Sequence, residues 1–148
     1  MAAGIRVNLV IPSEVRLVDV AHSASEKMAE LVGFDADEAL NIGLAVREAV
    51  INAMLHGNGQ DPSLNVDLTL AAVQDGLEAT VCDHGLGFDP GTTPDPTEGD
   101  NVMRTSGRGL LLIRAFVDEV KFEKAADGGT IIKMTKRLPP AGTTDDDS

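Results

Sequence analysis

The 148-residue sequence predicts an α/β two-layer sandwich, with three helices on one face of a mixed but largely antiparallel sheet. Three observations carry this expectation. Five segments are apolar or alternate at strand length, three segments repeat apolar residues at helical spacing, and the paired strands are joined by tight Gly-bearing turns in place of helical crossovers. A parallel, doubly wound sheet is therefore disfavoured.

Taken in order, Ile5, Val7, Leu9 and Ile11 alternate with Arg6, Asn8 and Val10, which predicts a half-buried first strand ended by Pro12. Ser13 is the expected cap of a first helix, whose apolar positions Val15, Leu17, Val18, Ala21, Met28, Leu31 and Val32 run to the stop signal Gly33. Asp35 or Asp37 caps a second, longer helix reaching about His56, where Gly57-Asn58-Gly59 breaks it. Strands follow from Leu64 to Val73 and from Leu77 to Asp83, turning at Asp75-Gly76. Between His84 and Ser106 Gly, Pro, Thr and Asp dominate, and a loop of that length points to function rather than plain connection. Gly107-Arg108-Gly109 opens a third helix through Phe116, and Val120 to Lys124 pairs with Thr130 to Arg137 across Asp127-Gly128-Gly129. Residues 1–138 thus read as one domain, and 139–148, with Pro139-Pro140 and Asp145-Asp146-Asp147, as an acidic disordered tail.

Twelve Lys and Arg stand against 24 Asp and Glu, a formal net charge of -12 that repels nucleic acid phosphates and anionic membranes. Direct nucleic acid binding and membrane association are excluded on that ground. A basic protein partner, or a polyphosphate brought in with a metal ion, remains compatible with it. Cys82 is the only cysteine, so neither an intrachain disulfide nor a thiolate metal site can form, and it reads as a small hydrophobe in a strand. The absence of a basic-then-apolar leader, and of any apolar run near the ~20 residues of a membrane span, predicts a cytoplasmic protein. His22 is expected at the surface without a partner.

The second helix departs from an ordinary amphipathic pattern. At ~100° per residue, Leu40, Leu44, Ile51 and Leu55 share one sector and Ile42, Val46, Val50 and Ala53 much of the opposite side. The remaining sector holds Asn41, Glu48, Asn52 and His56 between small Ala45 and Ala49, where a solvated face would carry several Lys or Glu. Arg47 projects near the Leu40 sector and must snorkel or pair. Glu48, Asn52 and His56 are spaced one turn apart, so one ligand could meet all three. An amide oxygen suits Mg²⁺ and a carboxylate can take a hydroxyl proton, while spacing alone equally allows a hydrogen-bonded structural stripe with His56 as a helix-end cap.

Two glycine-rich segments complete the pattern: Asp83-His84-Gly85-Leu86-Gly87 after a strand and Gly107-Arg108-Gly109-Leu110 at a helix start. The second could bring backbone N–H groups to phosphate oxygens at a helix N-terminus. Neither has the Lys-Ser or Lys-Thr of a P-loop, nor the setting of a dinucleotide fingerprint. In this order the three motifs resemble the N, G1 and G2 boxes of the GHKL superfamily of ATPases and kinases, over about Asp37 to Arg137. That resemblance implies the Bergerat ATP-binding fold, with ATP and Mg²⁺ as ligands. It implies Glu48 as general base, Asn52 as the Mg²⁺ ligand and Asp83 as acceptor of the adenine amino hydrogen. Gly85 and Gly87 would make room for base and ribose, Gly107, Gly109 and Leu110 would wrap the phosphates, and the intervening segment would be a lid. His56 belongs to the N box with a less defined role, His84 holds a variable G1 position, and Arg104 and Arg108 are candidate phosphate contacts.

Glu48 to Gly57 and the Gly129-Thr130-Ile131-Ile132 strand look closest to bacterial anti-sigma factor serine/threonine kinases. The stretch before the N box is too short for a dimerising helical hairpin, and no chain remains for a transducer domain, which sets the other branches of the superfamily aside. The resemblance implies an enzyme that binds a sigma factor and phosphorylates a small anti-sigma factor antagonist, as a homodimer. A non-catalytic ATP-binding module and a freestanding ATPase are the alternatives.

Overall fold

The structure is a computed structural model that describes residues 4–86 and 105–139, the side chains of 105–109 apart. Strand β1 spans Arg6–Pro12, α1 Val18–Val32, α2 Ala36–Asn52, β2 Asn65–Val73, β3 Gly76–Asp83, α3 Thr105–Phe116, β4 Glu119–Lys124 and β5 Thr130–Arg137. The sheet order is β1-β2-β3-β5-β4, and every pairing among the described residues is antiparallel. Strands β1 and β2 are joined through α1 and α2, and β3 is followed by α3 before β4 and β5, so that β5 pairs with β3 and β4 takes the edge; the helices gather over one face as a second layer.

Period-two alternation chooses that face. In β2, Val66, Leu68, Leu70 and Ala72 are buried, and register sets them opposite Asp83, Val81, Ala79 and Leu77 of β3. Val81 and Ala79 in turn face Ile132 and Met134 of β5. The helical layer meets this row through Ile42, Val46 and Val50 on α2, Ala53 just beyond its end, Val18, Ala21 and Met28 on α1, and Ile113 on α3. Complete burial of such a side chain contributes about 1.5–3 kcal/mol, so this shared core is the main stabilising term. Asp83 is the exception in the row: a carboxylate at the end of β3, on the core face, with 0% exposure. Of the two apolar sides of α2, the Ile42 side forms the core, whereas Leu40 on the other is 42% exposed.

Local signals decide the helix ends. Asp35, in extended backbone, accepts a 2.8 Å bond from Glu38 N and caps α2, which settles the choice between Asp35 and Asp37. Gly33 at φ 126° ends α1, its N–H reaching Ala29 O and Glu30 O. Ser13 does not cap the first helix as expected. A 3-10 turn at Val15–Leu17 intervenes, and the Ser13 hydroxyl donates instead to Leu64 O at 2.7 Å, tying the end of β1 to the start of β2. His22 also departs from expectation. Its side chain is only 20% exposed, packs where a Cβ on Gly43 would stand 2.5 Å away, and lies 3.3 Å from Glu26. Arg47 pairs with Asp19 at 3.6 Å, one of its two expected outcomes. The tail segment 140–148 and most of the long loop, 87–104, lie outside the described residues.

Candidate functional site

Glu48 and Asn52 sit one turn apart on α2, and their burial comes from the small residues around them. Ala45 and Ala49 let the neighbouring layers approach closely, so that Asn52 is only 3% exposed. Among the described residues, Asn52 Oδ1 and Glu48 Oε2 are buried with no hydrogen-bond partner. Native proteins leave few such atoms, because each forfeits hydration without compensation. Two of them in adjacent turns of one helix fit a polar ligand or a metal ion far better than a finished structural network. Burial raises the Glu48 carboxyl above the usual carboxylate range, with the Arg47 guanidinium partly opposing the shift.

Beyond Asn52 the helix widens. The expected α-helix to His56 gives way to a π-helical turn over Ala53–Gly57, closed by Asn58 N on Ala53 O at 2.8 Å. The first two members of the polar stripe therefore keep their one-turn alignment, and His56 does not inherit it. The wider turn carries Gly57 against Asp83, where a Cβ would fall 2.2 Å from Asp83 Oδ2. Gly85 is equally constrained, since a Cβ there would fall 2.2 Å from Gly57 O. The end of the α2 segment and the start of the loop after β3 thus meet backbone to backbone, with the buried Asp83 carboxylate between them.

That carboxylate is held from two sides. Thr130 N donates to Oδ2 at 3.1 Å and Gly85 N to Oδ1 at 3.3 Å. Burial pushes the Asp83 carboxyl above its ordinary range, and these two bonds oppose the push. Beside it opens a cleft of about 470 Å3 lined by His56, Gly57, Asn58, Gly59, Leu64, His84, Gly85 and Leu86. The volume lies within the roughly 300–1,000 Å3 of small-molecule sites.

The sequence-predicted residues fall into three groups. Glu48, Asn52 and His56 lie on one helical segment whose last turn abuts Asp83 and Gly85. Gly107, Arg108 and Gly109 lie in the first turns of α3, with half-buried Leu110, and α3 packs along α2. Gly87 and Arg104 lie outside the described residues. Asn58, which the sequence marks only as part of a helix-breaking turn, is a further residue of the site. It is 4% exposed, donates from Nδ2 to Ser13 Oγ and Asn65 O, both at 2.9 Å, and accepts His84 N on Oδ1 at 2.9 Å. It thereby joins β1, β2 and the loop after β3 at one point. Thr130 and Asp127 likewise stand in the sequence only as a strand start and a turn residue. No local pattern marks either; only the β3–β5 register brings them beside Asp83 and His84. Cys82 is half-buried, its thiol pushed up to about 11 by burial and by Asp83, Asp67 and Asp127, which suits an inert strand residue.

The sheet order, the single helical layer and the position of the cleft define a Bergerat-type α/β sandwich. A family model of the histidine kinase-like ATPase domain matches residues 11–136. The chain belongs to this family, within the GHKL superfamily, and is closely related to the bacterial anti-sigma factor kinases. It is 28% identical to the serine-protein kinase RsbW of Oceanobacillus iheyensis over 138 residues, covering 89% of this chain and 86% of that one. It is 34% identical to the anti-sigma F factor of the same organism over 110 residues, covering 72% and 75%. The solved RsbU and RsbW domains of Rv1364c from Mycobacterium tuberculosis share the fold, with a TM-score of 0.62 at 23% identity over 93% of this chain. This chain spans 34% of that one. Membership implies a capacity to bind nucleotide, and the likeness to serine-protein kinases supports an enzymatic, partner-switching role. Among the described residues no helix is long and apolar enough to cross a membrane.

Proposed function

We propose that this protein is an ATP-dependent serine/threonine protein kinase of the anti-sigma type, which binds a sigma factor and phosphorylates a small anti-sigma factor antagonist. The observation that carries this reading is the pair of buried, unpartnered oxygens, Asn52 Oδ1 and Glu48 Oε2, on the helix whose last turn abuts Asp83. Asn52 Oδ1 supplies a hard oxygen for Mg²⁺, and Asp83 accepts the amino hydrogen of adenine in the cleft beside it. Glu48 takes the proton of the antagonist's Ser or Thr hydroxyl as that oxygen bonds to the γ-phosphorus and the β–γ bridging bond breaks with ADP as the leaving group, a task for which burial suits its carboxyl. Gly107 and Gly109 bring backbone N–H groups at the start of α3 towards the phosphates, with Arg108 and Arg104 as cationic candidates and Gly87 leaving room beside Gly85. Mg²⁺ held by Asn52 would supply charge compensation for the phosphates. Likeness to RsbW and the anti-sigma F factor supports the protein partners, and action in the cytoplasm as a homodimer completes the proposal.

Calorimetry with ATP and Mg²⁺, joined to a labelled-ATP transfer assay with a candidate antagonist, tests the proposal. With neither Trp nor Tyr in the chain, intrinsic fluorescence gives little signal. Asn52→Ala is expected to abolish Mg²⁺-dependent binding. Glu48→Gln is expected to keep binding but lose about 10²–10⁴-fold in transfer. Tight binding without any phosphoprotein makes the chain a non-catalytic module, phosphate release without an acceptor makes it an ATPase, and no binding at all ends the reading.

A further inference from the structure

His84 occupies the second position of the Asp83-x-Gly85 segment, and its ring is gripped from two directions. Nδ1 lies 3.0 Å from Asp127 Oδ2 in the turn between β4 and β5, and Nε2 lies 2.5 Å from Asp67 Oδ2 on β2. A neutral imidazole has one N–H and one lone pair, so it can donate to only one carboxylate while setting its lone pair against the other. Two ionised carboxylate acceptors call for both ring nitrogens to carry hydrogen. The hydrogen bonds from the ring to Asp127 and Asp67 accordingly raise the His84 pKa, and the bonds from Gly129 N and His84 hold the Asp127 carboxyl below its ordinary range.

The grip spans Asp83. His84 N is fixed from behind by Asn58 Oδ1. On the other side Asp127 Oδ1 accepts Gly129 N at 3.0 Å, and the next residue, Thr130, donates its N–H to Asp83 Oδ2. Gly129 itself packs so closely that a Cβ would stand 2.1 Å from Asp83 O. The imidazole is therefore a side-chain tie between the β4–β5 turn, β2 and the segment that begins at Asp83.

We infer that His84 is a positioning residue of the cleft: as an imidazolium it clamps the β4–β5 turn and β2 to the segment after β3, and the affinity for an adenine nucleotide falls when the ring loses its charge. The inference rests on the reading of Asp83 as the adenine acceptor. Among the described residues the titratable groups around the ring are Asp67 on β2, Cys82 and Asp83 on β3, and Asp127 on the turn. Cys82 stays protonated across the neutral range. Because the ring's pKa is raised on folding, the clamp is complete below the ordinary histidine value of about 6.5 and is lost as pH rises through the raised value.

The test measures MgADP affinity by calorimetry from pH 6 to 9 for the wild type, His84→Gln and Asp127→Asn, with the His84 ring titration followed by NMR. His56 lines the same cleft, so the readout is the difference between wild type and His84→Gln. The ring is expected to titrate above about 6.5, and wild-type affinity to fall roughly two- to five-fold through that midpoint, the range for exposed ion pairs. His84→Gln is expected to show only the weaker, flatter profile, and Asp127→Asn a lower ring midpoint. A ring that titrates at or below the ordinary value overturns the inference whether or not the variants fold. Tight MgADP binding that is indifferent to pH and to His84→Gln overturns the role of His84 alone, whereas no binding at any pH overturns the reading of the cleft and this role with it.

Discussion

Glu48 carries opposite consequences for activity and for stability. Its carboxyl is desolvated and its pKa raised, so the ionised form is penalised in the folded protein. Between the unfolded value, about 4.3, and the raised folded value the native state binds more protons, and stability falls as pH rises through that window. In its proposed role as general base Glu48 must be ionised, and on that proposal transfer activity is expected to disappear as pH falls through the same raised value, earlier than for an ordinary carboxylate. Glu48→Gln removes both effects. It should raise the melting temperature measured at pH 7 while transfer falls about 10²–10⁴-fold, and a lower melting temperature would show that Glu48 is a satisfied structural group instead. Asn58, just past the π-helical turn, makes a contrasting case. Each of its bonds has a partner at 2.9 Å, so it serves construction, not ligand capture.

The element that decides the site is the π-helical turn at Ala53–Gly57. It ends α2 with Gly57 O facing the loop after β3, leaving no room for a side chain at Gly85. The obstacle at Gly85 is a backbone oxygen at 2.2 Å, which no rotamer change relieves. Gly85→Ala is therefore expected to cost about 1–3 kcal/mol in urea unfolding and to weaken MgADP binding by at least about tenfold, since the loop must move away from Asp83. Unchanged affinity in calorimetry would mean that this contact does not shape the cleft. Much of this arrangement was legible in advance. Alternation marked the strands, Asp35 and Gly33 marked helix ends, and the interval from Glu48 to Asn52 marked the polar stripe, because each is a local rule of backbone geometry. The π turn was not legible, since an extra residue in one turn leaves no signature in apolar spacing. Ser13 failed as a cap because a contact 51 residues away, with Leu64 O, competes for its hydroxyl. His84, Asp67 and Asp127 could not be grouped from the sequence for the same reason: three elements must pair in register before their side chains meet.

At the scale of the whole molecule, the net charge of -12 bears on partner exchange more than on folding. In the proposed reaction, phosphorylation of a docked antagonist would add about -1.5 to -2 charge units to a surface already close to this acidic protein, and part of that charge would have to be desolvated if the complex persisted. On that proposal, repulsion of this kind would favour release of the product. It also fixes the salt dependence, because exposed charges are screened beyond about 10 Å at 0.1 M ionic strength and about 3 Å at 1 M. Measured by calorimetry, the unmodified antagonist is expected to bind more tightly than its phosphorylated form at low salt, with the ratio of the two dissociation constants shrinking steadily as NaCl is raised. A ratio that ignores salt would place the discrimination in steric fit, and equal affinities at low salt would remove the electrostatic account of release.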